Sequence, residues 1–189
     1  MKRSDVMEIV ARYRNGAPAI TGPGATSGTF WAAAHEPATI YNMEMGYATP
    51  MCLGVALALP AQKVIALEGE GSAILGMPAL VTIGRYQPPN LVVIIFDNKL
   101  YGTGGGEVET GTATGTDLRA VATACGIKHA ESVTDVEQAE EMIRRALAEP
   151  GPWVLVAEIE ATDTTKRPVP DVDHVEAASA FRSELAQRR

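Results

Sequence analysis

The chain has 189 residues, 16 Lys and Arg against 23 Asp and Glu for a net charge of -7, 46% hydrophobic residues and only 5% aromatics. This length suits a single domain over residues 1–189 rather than two, because two cores would be cramped. The acidic balance, with no Lys/Arg run, excludes a chain that neutralises nucleic-acid phosphates or docks on anionic membranes.

In chain order, the first candidate strand is weak, Ala17 to Thr21, and runs into Gly22-Pro23-Gly24. The stretch Gly22 to Gly28 lacks the Lys of a phosphate-binding loop and the spacing of a dinucleotide fingerprint, so it reads as a turn. The longest apolar run, Met51 to Ala61, contains Pro60 and is too short to span a bilayer. The N-terminus carries no apolar secretion segment, and a cytoplasmic location is expected. Cys52 and Cys125 have neither a CxxC spacing nor a nearby His pair, which predicts buried free thiols rather than a disulfide or zinc site. Val64 to Leu67, Leu91 to Phe96 and Val154 to Ala157 are apolar without alternation, as in strands covered on both faces. Between them, Ser72 is placed to cap a helix through Arg85, with Pro78 an internal cost. Asp117 is placed to start another helix, ending near Cys125-Gly126. Thr134 and Glu137 have capping-box spacing for a helix to about Ala148, before Pro150-Gly151.

Gly102 to Thr116 holds six glycines and five threonines, and reads as a long loop able to close as a lid. Residues 162–189 read as a linker followed by a helix from about His174 to Gln187. Strands alternating with helices predict an α/β fold, a doubly wound and mostly parallel sheet with helices on both faces, binding ligands outside the strands' carboxyl ends.

One such end reads Leu67-Glu68-Gly69-Glu70-Gly71-Ser72, a carboxylate between two glycines where a strand gives way to a helix. Glycines let backbone amides approach an anion, and the amides of Gly71, Ser72 and Ala73 would face a phosphate at the positive helix end. Glu70 is itself an anion, and two anions together need a cation between them. The next strand ends in Phe96-Asp97-Asn98-Lys99-Leu100-Tyr101-Gly102, bringing the Asn98 amide to the same edge. One carboxylate, one amide, a backbone carbonyl, two diphosphate oxygens and a water form an all-oxygen set suited to Mg²⁺.

Gly69-Glu70-Gly71-Ser72, followed 29 residues after Gly69 by Asn98, resembles the cofactor motif of the thiamin-diphosphate-dependent enzymes, Gly-Asp-Gly followed by Asn-Asn. Tyr41 to Pro50 and Gly54 to Ala58 resemble that family's segment ahead of the motif strand, and Tyr101 to Gly106 resembles the small subunits of the sulfopyruvate and phosphonopyruvate decarboxylases. The resemblance covers roughly residues 17 to 160. It implies Glu70, Asn98 and the Leu100 carbonyl as metal ligands, and Gly69, Gly71, Ser72, Ala73, Tyr101 and Gly102 around the diphosphate. It also implies the Met43 carbonyl as acceptor for the cofactor's aminopyrimidine amine and Met45 as the wedge that keeps the cofactor bent. Core filling is the other reading of Met43 and Met45, and the preferred one for Met51. Glu44 is either a solvated carboxylate or an acid or base near the substrate. Two departures stand out: Glu70 replaces the usual Asp, adding a methylene, and Asp97 replaces the first Asn.

The resemblance further implies a heteromer. Family members set the cofactor between two similar domains, and this chain has room for one, so a pyrimidine-binding partner of similar size and a small 2-oxo acid substrate are expected. A carboligase, a 2-oxo acid oxidoreductase subunit or a degenerate structural subunit are alternatives; the oxidoreductase is disfavoured because a cysteine cluster is absent. His35, His129 and His174 are not spaced as metal ligands and are expected to be surface or structural.

Overall fold

The computed structural model describes residues 1–102, 108–161 and 168–188. Its strands are β1 (Ala19–Thr21), β2 (Thr39–Ile40), β3 (Val64–Gly69), β4 (Leu91–Asp97), β5 (Leu100–Tyr101), β6 (Val108–Glu109), β7 (His129–Val133) and β8 (Trp153–Glu158). Its helices are α1 (Arg3–Tyr13), α2 (Ala25–Ala34), α3 (Ala48–Ala58), α4 (Glu70–Leu75), α5 (Pro78–Tyr86), α6 (Leu118–Ala124), α7 (Val136–Ala148) and α8 (His174–Ala186). Among the described residues, six strands form a parallel sheet in the order β2-β1-β3-β4-β8-β7, and β5 pairs antiparallel with β6 beside it.

Alternation along the central strands divides the core in two. Ile65, Leu67, Val92, Ile94 and Phe96 pack on one face with α1, α2 and α7. Val64, Ala66, Leu91, Val93 and Ile95 pack on the other with α3, α5, α6 and α8. The doubly wound arrangement expected from the sequence is therefore present. After β1 the chain goes to β2 on one side and then to β3 on the other, so the winding reverses between β1 and β3. A crevice opens at such a reversal, outside the carboxyl ends, because the flanking connections leave in opposite directions.

Several local expectations are corrected. The helix expected over Ser72 to Arg85 is two helices: α4 begins at Glu70 with Gly69 at its cap, and Pro78 opens α5 at its first turn, where a missing N–H costs nothing. The stretch Gly22 to Gly28 is only half turn, since α2 starts at Ala25. The expected loop Gly102 to Thr116 contains β6 and a 3-10 turn at Gly111–Thr114; residues 103–107 of the lid reading, like residues 162–167 of the linker, lie outside the described residues. Met51 is exposed rather than core, and Cys125 is half-buried although Cys52 is buried as expected; both thiols are free. The α7 cap is Asp135, whose carboxylate accepts the Gln138 N–H at 2.9 Å. Among the described residues no helix is long and apolar enough to cross a membrane.

The cap position is testable by urea denaturation. Asp135→Ala should lower stability by about 1 kcal/mol, the usual worth of an N-cap, and Thr134→Ala should change it far less.

Candidate functional site

The register of β3 on β4 pairs Gly69 with Phe96, so the next residues, Glu70 and Asp97, emerge side by side at the carboxyl edge. Both are buried, Glu70 to 2% exposure. Asp97 is well served: its Oδ1 accepts the Thr112 hydroxyl at 2.7 Å and the Lys99 N–H at 3.0 Å, and Thr112 bonds Thr110 at 2.9 Å. Glu70 is not, because its Oε1 is buried without a hydrogen-bond partner. Burial pushes the Glu70 carboxyl above its ordinary range and the neighbouring Asp97 charge pushes the same way, whereas its own backbone amide, the Thr110 hydroxyl and the Asn98 backbone amide oppose the rise.

Asn98 is half-buried and donates its side-chain Nδ2 to the Ala161 carbonyl at 3.2 Å. With Asp97, Leu100, Glu158 and Glu160 it borders a cleft of about 560 Å³ outside the β4 and β8 ends. Tyr101 lies over the turn that follows β3, and a Cβ on Gly71 would collide with its ring unless the ring moved. Around Gly69, by contrast, a Cβ would meet nothing within 4 Å. Gly71, Ser72 and Ala73 are buried in the first turn of α4, and Gly102 is exposed.

A second segment, Asn42 to Tyr47, crosses this edge. The Asn42 N–H donates to Ser27 Oγ at 2.6 Å, the Met43 N–H to the Thr21 carbonyl at 3.0 Å, and the Gly46 N–H to Ser72 Oγ at 2.9 Å. Gly46 takes a φ of 82° and packs directly on Gly76, where a Cβ would stand 2.6 Å from the Gly46 carbonyl oxygen. Met43 and Met45 are half-buried and Glu44 is exposed. Beneath this segment lies Glu68, a residue the sequence reading passed over. It is 0% exposed, and its Oε1 accepts the Thr49 N–H at 2.6 Å while its Oε2 has no partner. The overlooked signal was its parity: after Val64 and Ala66 it is the third residue of β3 facing α3, where an apolar side chain is the norm.

The histidines take no part in this arrangement. His35 bonds Tyr41 at 3.1 Å and packs on Trp31 at 4.0 Å between ring centroids, with burial lowering its pKa. His129 stacks on Trp153 at 4.4 Å, and His174 opens α8. Among the described residues no three His, Cys, Asp or Glu side chains converge as a metal cluster, so any cation here would have to draw on amide and carbonyl oxygens as well as carboxylates.

Known proteins are similar to this chain in sequence and fold. The sequence profile described as "Thiamine pyrophosphate enzyme, C-terminal TPP binding domain" matches residues 24–157. A phosphonopyruvate decarboxylase of Streptomyces viridochromogenes is 33% identical over 139 residues, 74% of this chain and 34% of its own. The sulfopyruvate decarboxylase subunit beta of Methanococcus maripaludis is 31% identical over 158 residues, 83% of each chain. The benzoylformate decarboxylase structure from Polynucleobacter necessarius superposes with a TM-score of 0.73 at 17% identity, covering 86% of this chain and 34% of that one, a likeness of fold. The chain thus spans about a third of the longer relatives and most of the separate β subunit.

The raised Glu70 carboxyl has a direct consequence. A group whose folded pKa lies above its unfolded value supports folding fully below the unfolded value, ordinarily 4.5, and loses that support as pH climbs through the folded one. Glu70→Gln should therefore stabilise the metal-free chain by about 1 kcal/mol at pH 7, a gain that shrinks as pH falls toward the ordinary carboxyl range. Urea titrations of both proteins across that range check the sign.

Proposed function

The chain belongs to the thiamine pyrophosphate (thiamin diphosphate) enzymes, as their C-terminal cofactor-binding domain, and from that premise we propose that it is the diphosphate-binding subunit of a two-chain 2-oxo acid decarboxylase of the sulfopyruvate or phosphonopyruvate type. The observation that carries the reading is the buried, unpartnered Glu70 oxygen beside Asp97 at the rim of the sheet. An orphaned carboxylate oxygen next to a second acid is a hard donor that fits Mg²⁺, and the Asn98 amide and Leu100 carbonyl follow Asp97 in the chain.

In this reading Glu70, the Asn98 side-chain oxygen and the Leu100 carbonyl hold Mg²⁺. The Asn98 Nδ2, already given to Ala161, fixes the side chain and leaves its oxygen as the free donor. The backbone amides of Gly71, Ser72 and Ala73 bind the diphosphate at the positive end of α4, with Gly69 leaving room and Tyr101 and Gly102 walling the turn. Ser72 contributes through its backbone amide, its hydroxyl oxygen accepting the Gly46 N–H. The Met43 carbonyl accepts from the aminopyrimidine amine and Met45 supports the bent cofactor. The bound cofactor supplies the electron sink into which a 2-oxo acid loses CO₂. Glu44, exposed next to Met45, is available to the substrate as an acid or base.

A separate pyrimidine-binding partner is supported by the surface around this edge. Tyr47, Leu75 and Val81 are each more than half exposed on α3, α4 and α5, with Met51 beside Tyr47 on the next turn. Large apolar side chains left exposed on three successive helices fit a surface that a partner covers. The similar chain from Methanococcus maripaludis is named as a β subunit, and its share of common length is four fifths.

Calorimetry of the chain with its partner should show Mg²⁺-dependent uptake of thiamin diphosphate, lost in Glu70→Ala. No uptake by the unsubstituted complex would favour a structural subunit instead. Decarboxylation of 2-oxo acids should require the second chain, and robust turnover by this chain alone would overturn the two-chain reading.

A further inference from the structure

We propose that Glu68 is a positioning residue, one that sets the Met43–Met45 segment against the diphosphate turn through the hydrogen bonds of its buried carboxylate; this rests on the cofactor reading given above. Three observations combine. The first concerns what α3 lacks. Its cap position is Tyr47, which makes no side-chain capping bond, and it has no acidic residue in its first turn. The exposed N–H groups of a helix start need an acceptor, and here one comes from across the core, as Glu68 Oε1 accepts Thr49 N–H at 2.6 Å.

The second is how unfavourable the arrangement is as a cap alone. Glu68 is 0% exposed and faces the same side of β3 as Val64 and Ala66. A buried carboxylate with an unpartnered Oε2 is a heavier burden than a serine or aspartate at position 47 with an apolar residue at 68 would be. Stability by itself gives no reason for the longer reach.

The third supplies that reason. Beside Glu68, whose Oε1 holds the Thr49 N–H, lies Ser72: the Glu68 Cα and the Ser72 Oγ border the same spot, each 3.6 Å from where a Cβ on Gly22 would stand. Ser72 belongs to the first turn of α4 and also accepts the Gly46 N–H at 2.9 Å, while Thr49 belongs to the first turn of α3, three residues beyond Gly46. Glu68 thus ties the strand end that leads into Glu70, Gly71 and Ser72 to the helix that follows the segment bearing Met43 and Met45. Those two pieces are more than twenty residues apart in sequence, and no continuous strand or helix joins them. Their relative placement decides whether a ligand gripped at its diphosphate end also meets Met43 and Met45 at the other.

The test separates the two ends by ligand. Inorganic pyrophosphate with Mg²⁺ probes the turn alone; thiamin diphosphate with Mg²⁺ probes the turn and the Met43–Met45 segment together. Both are titrated by calorimetry into the chain complexed with its partner. Glu68→Leu should bind pyrophosphate within about twofold of the unsubstituted complex but thiamin diphosphate at least about tenfold more weakly, since misplacing one contacting element is enough for such a loss. Glu68→Gln, which keeps an oxygen for Thr49, should retain thiamin diphosphate affinity within about threefold.

Should Glu68→Leu fold poorly, the double variant Glu68→Leu with Pro50→Glu gives α3 an acid in its own first turn, away from the exposed apolar side chains assigned to the partner. Recovery of thermal stability without recovery of thiamin diphosphate affinity supports positioning. Recovery of both, or equal weakening of the two ligands in Glu68→Leu, would reduce Glu68 to a helix cap and overturn the proposal. An unsubstituted complex that binds neither ligand would instead reject the cofactor reading itself.

Discussion

Two carboxylates forced side by side away from water set the terms for this edge of the molecule. Glu70 and Asp97 are adjacent because β3 and β4 run parallel in a register that ends them together, and a slip of one residue would turn one of the two side chains to the opposite face. Asp97 is held by hydrogen bonds from Thr112 and the Lys99 amide. Glu70 receives partial compensation from nearby amides and Thr110, yet keeps an oxygen without a partner. Strain of this electrostatic kind is tolerated in a fold whose core is otherwise saturated with apolar contacts, and it concentrates where a ligand relieves it.

The rest of the edge is lined with hydroxyl side chains. Thr110 and Thr112 come from the connection after β6, Ser27 and Thr21 from the β1–α2 junction, Ser72 from α4, and Thr49 from α3. Short hydroxyl side chains dominate because each offers both a donor and an acceptor with few rotamers to restrict. Reversal of the winding between β1 and β3 is what brings these distant pieces of chain to one rim, so the architecture and the chemistry are linked through the sheet's strand order.

Much of this was legible beforehand, unevenly. Central strands β3, β4 and β8 announce themselves because both their faces are covered, leaving uninterrupted apolar runs. The edge strand β7 does not, since Glu131 and Ser132 are exposed and break its pattern, and β2 is two residues long. Helices α2 and α3 lack side-chain caps and are made largely of small residues, so no start signal marks them; the cap of α3 is supplied by Glu68 from another element, which no local reading can detect. Helix α1 was a missed opportunity, as Val6, Ile9, Val10 and Tyr13 carry helical spacing in plain view. At the site, the Gly69 to Ser72 and Asp97 to Gly102 stretches were read as neighbours and are neighbours. The Asn98 bond to Ala161, the Tyr101 ring on Gly71 and the tie from Gly46 to Ser72 depend on tertiary contacts and were not visible in sequence.

The contact between Gly46 and Gly76 joins two main chains without any intervening side chain. Ordinary packing absorbs small displacements by rotamer changes, but bare backbone against bare backbone has no such play. The junction between α4 and α5 and the segment that carries both methionines therefore meet main chain to main chain, and a side chain added at either glycine would have to part them.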